Sequence, residues 1–146
     1  MSNKALTNAL KVVLADTYSL YLKTHNYHWN VEGPNFSSLH LMFEEQYTEL
    51  ALAVDEIAER IRALGEKAPG TFSAYNKLSS ITDGDENAST SDMVLDLAKS
   101  QDVMVQSLKK CLEAAQAAND EVTIGLMADR MGIHEKRAWM LKSSGV

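Results

Sequence analysis

The sequence predicts an all-α fold of four long helices with a short helix between the second and third. Three observations lead there. Apolar residues recur at steps of three and four along most of the chain, no segment alternates like a half-buried strand, and strong helix breakers fall in a few places. With only two prolines and seven glycines in 146 residues, long uninterrupted helices are possible.

The first helix spans Lys4 to Val31, with Leu6, Leu10, Val13, Leu14, Thr17, Leu20 and Tyr21 on one stripe. It stops at VEGPN, where Gly33 and Pro34 cannot continue it, and Asn35 is placed to cap the next helix. The second helix runs from Phe36 to Leu64 and ends at Gly65. A turn-rich segment follows from Glu66 to Ser89, in which TFSAYNKL can form a short helix. The third helix runs from Ser91 to Ala118, with Met93, Leu97, Met104 and Leu108 as its core stripe. Asn119 and Asp120 break and recap the chain, and the fourth helix takes Glu121 to Lys142. A short first connection and a longer second one describe a four-helix bundle, read as a single domain over residues 1–146.

Composition sets bounds on function. Hydrophobic residues make up 45% and charged residues 23%, an ordinary globular balance. The net charge of −6 gives no bulk attraction to phosphate backbones. The single cysteine, Cys111, excludes an internal disulfide and fits a reducing compartment. No stretch is apolar enough to span a membrane, and MSNKALTNALK has no apolar signal core, so a cytoplasmic protein is expected.

Chemistry concentrates in THNYHWNVEGPNFSSLHLMFEE, residues 24–45, which holds three of the four histidines. His28 lies on the last turn of the first helix, and the short loop can return the chain so that His40 stands beside it. Along the second helix His40, Glu44, Thr48, Ala51, Asp55 and Glu59 follow at steps of three and four and share one face. Imidazole and carboxylate together suit a divalent transition metal. Yet His40 and Asp55 are fifteen residues apart, roughly 22 Å at the helical rise, too far to share an ion within one chain. Either these residues are unrelated, or a second chain supplies the other half. Two copies of the second helix packed antiparallel about a two-fold axis would bring His40 to Asp55 and Glu44 to Glu59. They would cross near Thr48 to Ala51, where Ala51 and Ala53 permit close approach. A bundle-core site of the Glu-x-x-His kind is disfavoured, because Leu22, His25, Ser37 and Met131 stand three residues before the histidines.

HWNVEGPNFSSLH, followed by DEIAER and by IHEKRAWML, resembles the Dps family of ferritin-like mini-ferritins over nearly the whole chain. The resemblance implies a ferritin-like four-helix bundle that assembles as a homododecamer around a hollow centre. It implies a ferroxidase, an enzyme that oxidises Fe(II) with hydrogen peroxide or O2, stores ferric mineral and protects against oxidative stress. Its centres lie at two-fold interfaces with two iron ions per site. The family's ligand and catalytic positions match His28, His40, Asp55 and Glu59, with Glu44 as a further ligand, and Trp29 matches a tryptophan beside the site. His25 matches no ligand position and reads as a local polar or interface group. His134 and Glu135 read as partners in structural ion pairs, Cys111 as a small buried hydrophobe, and the methionines as core filler.

Two departures bear on function. The family's alternative role, a DNA-binding, nucleoid-compacting structural protein, draws on a lysine-rich tail. Here the first eleven residues hold only Lys4 and Lys11, and the C-terminal segment adds Lys142, so DNA binding is not expected. An acidic pore at the start of the fourth helix would draw on Asp120, Glu121 and Asp129, but Gly125 stands where an aspartate is expected.

Overall fold

The computed structural model describes residues 3–146. Five helices follow one another: α1 (Lys4–Asn30), α2 (Phe36–Ala63), α3 (Phe72–Leu78), α4 (Thr90–Ala117) and α5 (Glu121–Lys142). No strand occurs among the described residues. The ends of the long helices differ from those expected by one residue at most.

Side-chain caps fix where most helices begin. Asn3, Thr71, Ser89 and Asp120 each accept a hydrogen bond from a backbone amide of the first turn of α1, α3, α4 and α5. Such a cap contributes about 1 kcal/mol. Asn35, expected to cap α2, makes no such bond. Its φ of −102° and ψ of 17° are not the extended conformation that turns a capping side chain back onto the helix. The entry to α2 is set by backbone instead. Phe36 N–H donates to the Gly33 carbonyl at 3.1 Å, with Gly33 at a φ of +104° that a residue with a Cβ seldom adopts.

That tight turn makes α1 and α2 antiparallel neighbours. The crossover then carries the chain back the length of the bundle. Thr90, at the start of α4, donates to the Glu32 carbonyl beside the α1–α2 turn, whereas Arg60, near the end of α2, pairs with Asp120 at the start of α5. Thus α2 and α4 run the same way, and α1 packs on α2, α3 and α4 while α4 packs on α5. Leu10, Leu14, Leu50, Ile57, Leu97 and Met104 are fully buried at the centre. Each contributes roughly 1.5–3 kcal/mol by leaving water. Cys111 lies in the same core as expected, where burial pushes its thiol up to about 12.

Buried polar anchors hold the crossover down. The Asp16 carboxylate accepts from Ser79 Oγ, Ser80 N and Ser107 Oγ, joining α1 to the crossover and to α4. Lys23 Nζ donates to Asp96 at 3.1 Å and Ser100 at 3.0 Å, and Tyr27 Oη donates to Asp96 at 2.6 Å. Gly84 passes over Lys23 and Tyr27 so closely that a Cβ there would come within 3.1 Å of the Lys23 stem.

A second polar group lies inside the bundle. His134, completely buried on α5, has its Nδ1 2.6 Å from Gln101 Oε1 and its Nε2 2.9 Å from Arg130 Nη2. Arginine can only donate and a carbonyl oxygen can only accept, so the ring is the neutral Nδ1–H tautomer. Arg130 also pairs with Glu49 of α2, which pairs in turn with Arg137 at 3.0 Å. The expected ion pairs of His134 and Glu135 are therefore corrected. His134 is a neutral hydrogen-bond bridge, and Glu135 is exposed with no ion pair among the described residues. The reason is charge: with two guanidiniums close by, a protonated ring would meet only repulsion.

Burial first, then Arg130 and Arg137, depress the His134 pKa well below its ordinary value. The unfolded chain thus takes up a proton that the folded chain refuses. This contribution to stability is present above pH 6.5 and is lost as the pH falls below it. Chemical unfolding from pH 7.5 to 5 should show declining stability. His134→Ala should be less stable at pH 7.5 by about 1–3 kcal/mol, since it leaves Gln101 Oε1 and Arg130 Nη2 without their partner. It should also decline less steeply below pH 6.5; an unchanged slope would contradict the assignment.

Candidate metal centre

The end of α1 and the first turns of α2 are locked together by a reciprocal pair of hydrogen bonds. His28 Nδ1 lies 2.8 Å from the His40 carbonyl, and His40 Nδ1 lies 2.7 Å from the His28 carbonyl. A carbonyl can only accept, so each ring donates from Nδ1. Each neutral ring therefore keeps its lone pair on Nε2. The rings stack with centroids 3.8 Å apart and 16° between planes, which sets the two free nitrogens side by side. A hydrogen bond from the far nitrogen is how proteins orient a metal-binding imidazole and raise its basicity.

Glu44, one turn beyond His40 on α2, completes a cluster. Its Oε1 is 3.9 Å from His28 Nε2, and one ligand atom from each of His28, His40 and Glu44 lies within 4.8 Å of the others. Among the described residues no other group of three His, Cys, Asp or Glu side chains meets this condition. His28 is buried, His40 half-buried and Glu44 exposed, so the cluster opens at the surface rather than into the core.

Asp55 and Glu59 are not brought to this cluster. They are exposed, further along the face of α2 that carries His40 and Glu44. Ala51 shares this open face, but Ala53 is buried in the subunit's own core and cannot line a contact with another chain. The expected role of Ala53 is therefore corrected; in a 3.6-residue turn, positions 51 and 53 point to different sides. A lone small residue, Ala51, remains beside exposed Leu52.

The histidine pair sits in an aromatic setting of which sequence reasoning named only Trp29. His25 is sandwiched between Trp29, with centroids 3.8 Å apart, and Tyr47 at 4.1 Å. Burial and the neighbouring His28 ring lower the His25 pKa. Tyr47 meets His28 edge-on at 5.0 Å, and Phe36 stacks on His40 at 4.9 Å. The spacing held a signal for Tyr47, which follows Glu44 by three residues on α2 and so falls on the neighbouring part of the same face.

A ferritin-like domain profile matches residues 7–144. The chain is 42% identical to DNA protection during starvation protein 2 of Bacillus anthracis over 144 residues, 97% of each chain. The Dps protein of Bacillus brevis superposes with a TM-score of 0.94 at 34% identity, covering 98% of both chains. The chain belongs to the Dps family of ferritin-like proteins. The Dps protein of Vibrio cholerae, described as a member of a broad superfamily of ferritin-like diiron-carboxylate proteins, superposes at 0.90 with 36% identity. It covers 94% of this chain and 87% of its own. No described helix of this Dps protein is long and apolar enough to cross a membrane.

The tautomers are directly observable. Long-range proton–nitrogen NMR on the metal-free protein at alkaline pH should show His28 and His40 protonated at Nδ1 and bare at Nε2. Either ring found with its proton on Nε2 would remove the preset donor pair.

Proposed function

We propose that this chain is the subunit of a homododecameric, iron-storing ferroxidase whose centres are shared between two chains. The observation that carries this reading is the half-built cluster. His28, His40 and Glu44 present three converged donors at the surface, while the matching acids Asp55 and Glu59 stand on the same exposed face of α2, too far away to reach them. A two-fold axis near Thr48 to Ala51 brings the acids of one chain to the histidines of the other and makes two equal sites. It also covers Leu52, which is 70% exposed in a single chain.

The division of labour follows from donor chemistry. The two neutral Nε2 atoms bind substrate Fe(II) without adding charge. Glu44 with the partner chain's acids adds negative charge, which favours the ferric product. Two irons at one site can deliver two electrons to hydrogen peroxide and reduce it to water without releasing a radical. Buried His134 plays no part: both its nitrogens are taken, and Arg130 would repel a cation at that place. The family's relatives named for DNA protection and diiron-carboxylate chemistry support iron oxidation with protection of the cell as the function.

Asp55→Asn keeps the shape of the side chain and loses its charge. Peroxide-driven iron oxidation by this variant should fall by about tenfold or more, near 1.4 kcal/mol of barrier, with helix content unchanged. A mixed shell gives the sharper test. Subunits carrying His28→Ala with His40→Ala are combined with subunits carrying Asp55→Asn with Glu59→Gln. At each mixed two-fold interface one site collects all four changes and its mate none, so random mixing restores about a quarter of the wild-type activity. Mixed dodecamers, verified by mass and as inactive as both parents, would refute the shared centre.

Charge argues against nucleic acid as the main partner. Each of the three lysines near the chain ends is paired with a carboxylate. Lys4 and Lys11 hold Glu66 at 3.0 and 2.9 Å, and Lys142 holds Asp102 at 3.3 Å. A hydrogen bond from Thr7, followed by those from Lys11 and Lys4, pulls the Glu66 carboxyl down to about 2. At neutral pH the ionised Glu66 offsets one of the two charges of Lys4 and Lys11, and Asp102 offsets that of Lys142, so little net positive charge is left for phosphate. Duplex DNA should therefore not shift in a gel at physiological salt without added divalent ions, and a clear shift under those conditions would count against this reading.

A further inference from the structure

An unbroken line of aromatic rings leads away from the His28–His40 pair. Tyr47 of α2 touches His28 edge-on, with centroids 5.0 Å apart. Tyr47 is 6.1 Å from Tyr21, Tyr21 is 5.7 Å from Tyr18, and Tyr18 is 5.0 Å from Tyr75 on α3. Tyr18, Tyr21, His25 and His28 follow at steps of three and four, so one face of α1 carries rings from α3 to the site. Four of the chain's five tyrosines lie on this line. The fifth, Tyr27, has its hydroxyl tied to Asp96 and serves the crossover.

We propose that Tyr47, Tyr21, Tyr18 and Tyr75 form a one-electron relay that carries an oxidising equivalent from the histidine centre to the phenol of Tyr75. The need for it rests on the iron-oxidising function proposed above. A centre holding a single Fe(II) can give peroxide only one electron. The products are Fe(III), hydroxide and a hydroxyl radical, the oxidant of this step. Tyr47 then supplies one electron and its phenolic proton, which turn the radical into water and leave a phenoxyl. Each hop returns an electron to the oxidised ring from the next tyrosine. The oxidised tyrosine regains a proton from water as the next one loses its own, which half-burial of all four rings permits.

The direction has a physical cause. Tyr75 donates its hydroxyl proton to the Pro69 carbonyl at 2.7 Å. That bond pushes electron density onto the phenol oxygen and makes the ring easier to oxidise. Among the described residues no hydroxyl hydrogen bond of Tyr18, Tyr21 or Tyr47 offers the same help. Ordinary aromatic packing would hold α3 on α1 equally well with phenylalanine, and this separates the two readings.

The test uses the assembled protein with and without iron. In iron-free Trp139→Phe, Trp29 is the one tryptophan left, since the chain has two. Flash photoionisation makes its radical, which His25 links to Tyr47. The tryptophanyl absorption should decay as phenoxyl absorption grows, at a rate independent of protein concentration. Adding Tyr47→Phe should slow this transfer on the order of tenfold or more. Tyr21→Phe should leave it intact, with the radical halted at Tyr47. With one Fe(II) per site and peroxide, freeze-quenched samples should show a phenoxyl radical, and peptide mapping should place oxidation at Tyr75. Tyr21→Phe should move that oxidation to Tyr47. Transfer in iron-free protein that is indifferent to Tyr47→Phe, or mapping that finds Trp29 oxidised and Tyr75 intact, would overturn the relay. In the iron-free arm, peptide mapping after photoionisation should also place oxidation at Tyr75, and oxidation that stops at Tyr47 would overturn the relay. That result stands whatever the Asp55→Asn assay finds, so failure of the relay and failure of the ferroxidase reading are distinguishable.

Discussion

Two hydrogen bonds between side chains and main chain, His28 to the His40 carbonyl and His40 to the His28 carbonyl, are what the candidate centre depends on. They fix the tautomer of both rings, hold those rings in a stack and tie the end of α1 to the start of α2. The Gly33 turn makes this possible by reversing the chain in few residues. Because the exchange is reciprocal, neither ring can rotate without abandoning a backbone carbonyl in a part-buried place. The donors are therefore preset before any ion arrives, and a bound ion need not meet the cost of ordering them.

The interior of the bundle shows why the candidate centre lies at a surface. The space between α2, α4 and α5 holds Glu49, Arg130, Arg137, Gln101 and His134 in one set of hydrogen bonds and ion pairs. Guanidiniums there make the core hostile to a cation and keep His134 neutral. The same residues join α2 to α5 across a seam where the two backbones do not come close. The interior thus spends its polar groups on holding helices together, and free donors remain on the open face of α2.

Acid placement follows a similar logic. Asp120, which sequence alone offers to a pore, is occupied as the cap of α5 and as the partner of Arg60. Thr123 and then Arg60 overcome its partial burial and lower its pKa. Glu121 and Asp129 stay exposed, and Gly125 adds no charge between them. Asp55 and Glu59, by contrast, make no ion pair among the described residues. A carboxylate already paired with arginine is a poor candidate for a cation, so the unpaired acids of α2 carry more weight than the acid count near α5.

Helix periodicity determined the architecture without help from tertiary structure, because an amphipathic stripe such as Leu6, Leu10, Val13 and Leu14 must face a core whatever it packs against. The breaks at Gly33, Gly65 and Asp120 are equally local, so the helix ends were legible to within one residue. The face shared by His40, Glu44, Asp55 and Glu59 was also legible, since it follows from the pitch of one helix. Other features depended on three-dimensional arrangement. Asn35 does not cap, because the Gly33 turn sets its backbone. Ala53 turned inward while Ala51 stayed outside. His134 became a neutral bridge, because arginines from its own helix surround it. The ring line from Tyr47 to Tyr75 joins three helices that are distant in sequence, and the reciprocal histidine bonds need main-chain carbonyls whose positions no residue pattern encodes. Spacing along one helix is written in the chain; which groups meet between helices is decided by packing.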